Sequence, residues 1–337
     1  MNITPILAIG LLASPSVYAQ ADSANHYFQK AIEEKSQKHL LFASKHLDKA
    51  VQFNPRFIAA YLENGYLNLE MRRTDIAKIH FTKVCEIDPK NTAAIKELME
   101  LSYNYRQWDK AKEFAAKCTT CIGADKIVAM SNYQQENYGD AIKGLLTYLG
   151  KSPADDEATY TLARCFLELE DYRAAIPYYN KAITLNQEKN VWAYELGMLY
   201  YTMNDYKNSV ANFIKAAERG YNKSNDYMEN LGYAYIYSGE FEKGEDLLLN
   251  LMQKKPGDKT LIRDIADAYY NNKAYDKSLG YCQKLMEMDM NDGKALYLAG
   301  LCFQKKGQKD KGQNMCDKAI EMDPSLNSLR QKNMTMN

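Results

Sequence analysis

The sequence predicts an all-α fold built of repeated helix pairs, and two observations carry that prediction. The first is local. In residues 190–220, Trp192, Leu196, Gly197, Tyr200 and Tyr201 precede an Asn204-Asp205 break, and Tyr206, Ser209, Phe213 and Ala216 come after it. Leu196 and Tyr200 lie four apart and share one helical face, with Gly197 leaving a gap beside them. After the break, steps of three and four draw a single apolar stripe, and Asp205 is a natural N-cap. A large residue on one helix thus meets a small one on the next, and neither helix can bury its stripe alone. The second observation is periodicity. The small residue that opens each second helix recurs as Ala43, Ala77, Ala111, Ala141, Ala175, Ser209, Gly244, Ser278 and Gly312, at intervals of 34, 34, 30, 34, 34, 35, 34 and 34 residues.

A 34-residue period carrying Trp/Tyr, Leu-Gly, Tyr, Ala, Phe, Ala and Pro in that order resembles the tetratricopeptide repeat. The resemblance covers residues 24–326. It implies an all-α, right-handed superhelical solenoid of about nine helix-turn-helix repeats, near 24–57, 58–91, 92–121, 122–155, 156–189, 190–223, 225–258, 259–292 and 293–326. It says little about function, because the repeat is a scaffold on which sites are placed.

Taken in order, residues 1–21 hold no charged side chain, residues 3–13 are mostly apolar, and Val17-Tyr18-Ala19 is the small-residue pattern a signal peptidase reads. We expect residues 1–19 to be a secretory signal, placing the chain in the periplasm or cell envelope. The apolar run, interrupted by Pro5 and Gly10, is too short to span a bilayer. A cytoplasmic chain is the alternative, since the segment lacks Lys and Arg. Repeat one is polar in its first helix, with Lys30, Glu33, Glu34, Lys35 and Lys38, as suits an end repeat. Repeat two is regular. In repeat three, Met99 takes the small position and Ala115 the aromatic one, which predicts rearranged packing.

The 30-residue interval places a deletion between Cys118 and about Lys126. Four residues are close to one helical turn, so we expect a shortened first helix in repeat four, capped by Asp125. Repeats five to eight have small positions Ala163, Gly197, Gly232 and Ala266, and turn-closing aromatics Tyr172, Tyr206, Phe241 and Tyr275. Pro177 predicts a kink in the second helix of repeat five. The short polar tail, 327–337, offers little beyond Leu326 and Leu329 to cover the final apolar face, which leaves self-association through the C-terminal repeat open.

Lys plus Arg equals Asp plus Glu, 43 each, so nothing in the balance calls for nucleic acid or an acidic membrane. His26, His39, His46 and His80 complete no metal set at ligand spacing. There is no phosphate-binding Gly-rich loop, His-Glu-x-x-His or Gly-x-Ser-x-Gly, and the carboxylates fall at helical spacing. No catalytic residue, cofactor or metal is expected, and the chain is not read as an enzyme. Of seven Cys, Cys118, Cys282 and Cys316 occupy packing positions. The Cys118-x-x-Cys121 pair is compatible with inert thiols, a local disulfide or a redox pair, the disulfide being favoured by export.

The resemblance also implies a concave groove lined by the first helices. Carried over by position, its walls include Tyr66, Tyr103, Tyr133, Tyr160, Arg164, Tyr194, Met198, Tyr201, Tyr233 and Tyr270. The family's carboxylate clamp of Lys, Asn and Arg is missing at these positions, so a chaperone C-terminus is not implied. Tyr suits a binding wall, having a broad apolar face and a polar tip. Other Tyr, including Tyr172, Tyr200, Tyr206, Tyr235, Tyr269 and Tyr275, sit at packing positions. The leading expectation is a non-enzymatic adaptor that holds a protein or extended peptide in a Tyr/Met-rich groove. The alternatives are a self-assembling envelope subunit and a substrate-recruiting partner of a separate enzyme.

Overall fold

The computed structural model describes residues 15–118, 120–254 and 257–329, with side chains from residue 21 onward. The expected leader lies largely outside the described residues. The chain divides into two compact units, Met1–Glu170 and Asp171–Asn337. The first holds α1 (Pro15–Ser36), α2 (Leu40–Phe53), α3 (Ile58–Glu70), α4 (Thr74–Ile87), α5 (Thr92–Asn104), α6 (Trp108–Lys117), α7 (Ala124–Gln134), α8 (Tyr138–Lys151) and α9 (Asp156–Glu168). The second holds α10 (Tyr172–Leu185), α11 (Asn190–Thr202), α12 (Tyr206–Glu218), α13 (Asn225–Ser238), α14 (Phe241–Lys254), α15 (Lys259–Asn271), α16 (Tyr275–Met288), α17 (Gly293–Lys305) and α18 (Lys309–Met322), then a 3-10 turn at Pro324–Leu326. No strand occurs among the described residues. Within each unit the helices pack in consecutive pairs, and each pair packs on the next.

Most pairs close on a small residue set against a large one sixteen positions later, the partner being Cys282 or Cys316 in the last two. A Cβ placed on Gly65 would lie 2.5 Å from the Phe81 ring, one on Gly197 2.7 Å from Phe213, and one on Gly232 2.8 Å from Leu248. In repeat three the sizes are exchanged. Buried Met99 packs in one cluster with buried Ala115 and Ala124. The expected rearrangement is therefore a swap that conserves volume. The opening residues of the second helices are buried throughout, from Ala43 to Gly312. At Gly244 the approach is to backbone, since a Cβ there would sit 2.7 Å from the Gly232 carbonyl oxygen.

The turn inside each pair uses one left-handed residue at the same place. It is Lys38, Arg72, Arg106, Glu136, Glu170, Asn204 and Lys273, with φ between 57° and 62°, and Gly239 and Gly307 in two repeats. Such a residue at the helix end lets its N–H and the next close back on the last turn. The chain then enters the second helix through a cap. Asp205 accepts from the Asn208 N–H, and Asp171 does the same for α10 through the Ala174 N–H. Pro177 lies inside α10, which runs on without a break to Leu185.

The lost turn flanks the segment the spacing predicts, and the first helix of repeat four is shortened as expected, but the larger loss falls on the helix before it. The second helix of repeat three, α6, has 10 residues against 14 in α4 and α8, whereas α7 has 11 against the 13 of α5. Asp125 does not cap α7. Gly123 precedes the helix at φ 86°, and Asp125 sits in the first turn, where it pairs with Lys151 at 3.0 Å. Removing nearly one turn leaves Ala111 and Ala115 of α6 facing the core, so the deletion is absorbed without turning the stripe. Asp155 ties α7 and α8 to the start of α9. It accepts from the Ala158 N–H at 2.9 Å, the Tyr148 hydroxyl at 2.8 Å and Lys126 Nζ at 2.9 Å. At the far end Leu326 is 3 % exposed and packs with Tyr297, Cys316 and Ala319, so the last pair is better covered than its polar tail suggested.

This packing predicts opposite effects at two glycines. Gly280→Ala, at an exposed mid-helix site with nothing within 4 Å, should stabilise by about 0.5–1 kcal/mol through helix propensity. Gly244→Ala, with the same propensity gain, should destabilise by about 1–3 kcal/mol because its Cβ meets backbone. Opposite shifts of the urea midpoint check this pair. Burial acts to raise the Asp155 pKa, but its hydrogen bonds outweigh it and hold the carboxyl below the ordinary value. Its contribution is therefore complete above the unfolded pKa of about 3.9 and is lost as pH falls through the lower folded value. Asp155→Asn should lower the urea midpoint at pH 7, and the difference from wild type should shrink steadily below pH of about 4.

Candidate partner-binding site

The ten first-helix residues carried over from the repeat pattern do not behave alike. Tyr103, Tyr133, Tyr201 and Tyr270 each pack on the aromatic residue five positions later that opens the second helix. The ring centroids are 5.2 Å apart for Tyr103–Trp108, 5.9 Å for Tyr133–Tyr138, 5.4 Å for Tyr201–Tyr206 and 5.7 Å for Tyr270–Tyr275. These four close the turn with one part of the ring and are only half-buried. Tyr194 stacks on Tyr221 at 4.5 Å, and its hydroxyl accepts from Asn230 Nδ2 at 2.8 Å. Replacing Tyr194 or Tyr201 by Ala would therefore remove packing as well as any contact with a partner.

In the first unit, Tyr160 and Arg164 form one local group. The Tyr160 hydroxyl accepts from Arg164 Nη1 at 3.4 Å, while Arg164 Nη2 pairs with Glu168 at 2.7 Å. The charge of Arg164 is thus offset by its own helix. Tyr66 is 36 % exposed, lies edge-on to Phe81 at 5.3 Å, and is surrounded by carboxylates. Burial first, then Glu97, Glu63 and Glu100, raise its phenol pKa. In the second unit, Met198 and Tyr201 flank a cluster with Val210, Phe213 and Tyr227. Tyr233 is 9 % exposed.

Carrying the repeat over by position reaches Asp267, one repeat on from Tyr233, but not the carboxylates Glu229 and Asp264. Burial, and then Glu229, Asp264, Tyr201 and Tyr237, push the Tyr233 phenol far above its ordinary value. Asp267 is held above the ordinary carboxyl range by burial and then by Asp264. The chain-wide charge is zero, but the first helices α3, α9, α11 and α13 carry eight carboxylates and one cation, Arg164. Counting charge by helix would not have found the pair on α15, which carries Lys259 and Arg263 as well as Asp264 and Asp267.

Each unit also holds a cleft. In the first, one of about 820 Å³ lies at the shortened repeat, lined by Lys112, Ala116, Ile122, Val128, Thr147 and Lys151, with Ile122 92 % exposed. In the second, one of about 510 Å³ is lined by Arg263, Asp267, Tyr297, Leu301, Leu326 and Leu329. Among the described residues no group of three or more His, Cys, Asp or Glu is placed to hold a metal ion, and no helix is long and apolar enough to cross a membrane.

Family models described as tetratricopeptide repeat match residues 129–189, 193–219 and 293–326. A UDP-N-acetylglucosamine--peptide N-acetylglucosaminyltransferase of Giardia intestinalis is 32 % identical over 78 residues, 21 % of this chain and 5 % of that protein. The BBSome complex member BBS4 of Bos taurus is 23 % identical over 159 residues, 47 % of this chain and 30 % of that protein. The chain thus spans less than a third of the length of either curated relative. A tetratricopeptide repeat protein from Parabacteroides merdae is similar in structure, with a TM-score of 0.39 and 16 % identity, covering 83 % of this chain and 99 % of that one.

The structure joins Cys118 and Cys121 by a disulfide across the loop that replaces the lost turn. The other five cysteines are free; Cys165, Cys282, Cys302 and Cys316 are buried, and Cys85 is half-buried. Burial pushes the thiols of Cys165 and Cys282 up to about 12, which keeps them protonated and unreactive at neutral pH. With seven cysteines in the sequence, thiol titration of the unfolded, unreduced chain should find five, and the reduced chain seven. In the native chain only Cys85 should react on the timescale of minutes; rapid labelling of a second thiol would contradict the burial.

Proposed function

We propose that the chain is a non-enzymatic scaffold of tetratricopeptide-repeat type whose first helices hold a protein or extended peptide. The observation that carries this reading is the half-exposed aromatic face of those helices. Each helix pair needs the small-large contact and the turn-closing ring to fold, yet Tyr66, Tyr160, Met198 and Tyr270 keep part of their surface toward solvent. Large aromatic surface at low entropy cost is what a binding wall requires.

The same reading takes the chain to act after export, in the cell envelope. It is supported by the uncharged residues 1–21, the mostly apolar residues 3–13 and the small-residue pattern at Val17-Tyr18-Ala19.

Photo-cross-linking in the native cell tests the scaffold. Tyr66→p-benzoylphenylalanine and Met198→p-benzoylphenylalanine should trap a discrete partner, whereas Ile79→p-benzoylphenylalanine, on the exposed side of α4, should not. Equal yields at all three positions would reject the first-helix face as the binding surface. Export predicts a mature chain whose measured mass begins at Gln20.

A further inference from the structure

We propose that the first-helix face of the second unit, at Tyr201, Tyr233, Asp264 and Asp267, recognises a cationic side chain, Lys or Arg, of an extended partner segment. The proposal rests on the scaffold reading above and gives its partner a charge. Three helices supply the patch. On α13, Glu229, Tyr233 and Tyr237 recur every four residues and share a face. On α15, Asp264, Asp267 and Asn271 are spaced by steps of three and four. From α11, Tyr201 meets Tyr237 edge-on at 6.1 Å, and Tyr237 is itself stacked on Tyr206 at 4.7 Å. The rings are fixed by their neighbours, so the surface exists before a ligand arrives.

Two independent observations point to a missing cation. Asp264 and Asp267 form no ion pair or hydrogen bond among the described residues. The nearest cation on their own helix, Arg263, is committed to buried Asp292 at 2.7 Å. Arg263 attracts both from a distance without pairing with either, so the two carboxylates still repel one another and draw in a further cation. Separately, Tyr233 is 9 % exposed and its hydroxyl is buried with no hydrogen-bond partner, in the field of Glu229 and Asp264. A buried hydroxyl left unpaired is costly, and it marks a place where a polar group is due. Two carboxylates framed by aromatic rings are too few oxygen donors for a metal ion. They suit an ammonium or guanidinium, which gains from both the charges and the ring faces.

Fluorescence anisotropy with labelled octalysine and octaglutamate, on the full chain, tests this. At low ionic strength, about 50 mM, octalysine should bind and octaglutamate should not. Asp264→Asn with Asp267→Asn should weaken octalysine by about tenfold or more. Glu242→Gln with Asp246→Asn on α14 removes the same charge elsewhere and should leave affinity within about twofold. Circular dichroism melts confirm that both double variants are folded. If octalysine fails to bind, or if the two double variants weaken it equally, the proposal is overturned. Partner cross-links at Tyr66 and Met198 that persist alongside such a failure would leave the scaffold standing and remove only its preference for cations.

Discussion

A single steric rule governs the molecule: wherever two helices of a pair cross, at least one contributes almost no side chain, and in most pairs the other fills the space. Gly65 with Phe81 and Gly197 with Phe213 are the open cases, and Met99 with Ala115 shows that the rule constrains the sum of the two volumes rather than the order. Interiors packed to this density leave no room for two large residues and tolerate no void. Because one face of each helix is spent on its partner and another on the next pair, stability is gained from neighbours only. The remaining flank of each first helix is left over, and that flank is where tyrosines and carboxylates collect.

The turns obey a second constraint, which is conformational. Seven of the described turns place Lys, Arg, Glu or Asn in the left-handed region, where a side chain costs about 1–2 kcal/mol. The short connection leaves no alternative. With three residues between α3 and α4, the chain must reverse at once to bring Gly65 onto Phe81. Local strain and long-range packing are thus two sides of one geometric demand.

Much of this was legible in the residues themselves. The recurring small residue, the Leu-Gly pair and the Asp205 cap each express a contact between residues close in sequence, and each lies where the spacing put it. The lost turn is assigned to α7 by spacing because a length difference has no address within a loop, whereas the structure shortens α7 slightly and takes the larger part from α6. The left-handed residues were invisible, since Arg72 or Glu170 carries no signal of its backbone angle. The acidic patch escaped for a different reason. Tyr233 and Asp264 lie on different helices, and their proximity comes from stacking that no window of sequence contains.

The distribution of sulfur has a consequence for biogenesis. Once the helices have closed, four thiols are protected by the packing around them, Cys85 is half-buried, and only the Cys118–Cys121 loop holds an oxidised pair. Before closure no such protection exists, and any of the seven can join any other. In an oxidising compartment the chain would therefore be in a race, with productive folding on one side and scrambled linkages on the other. Neighbour-by-neighbour assembly, which needs no distant contact to begin, is what would let folding win.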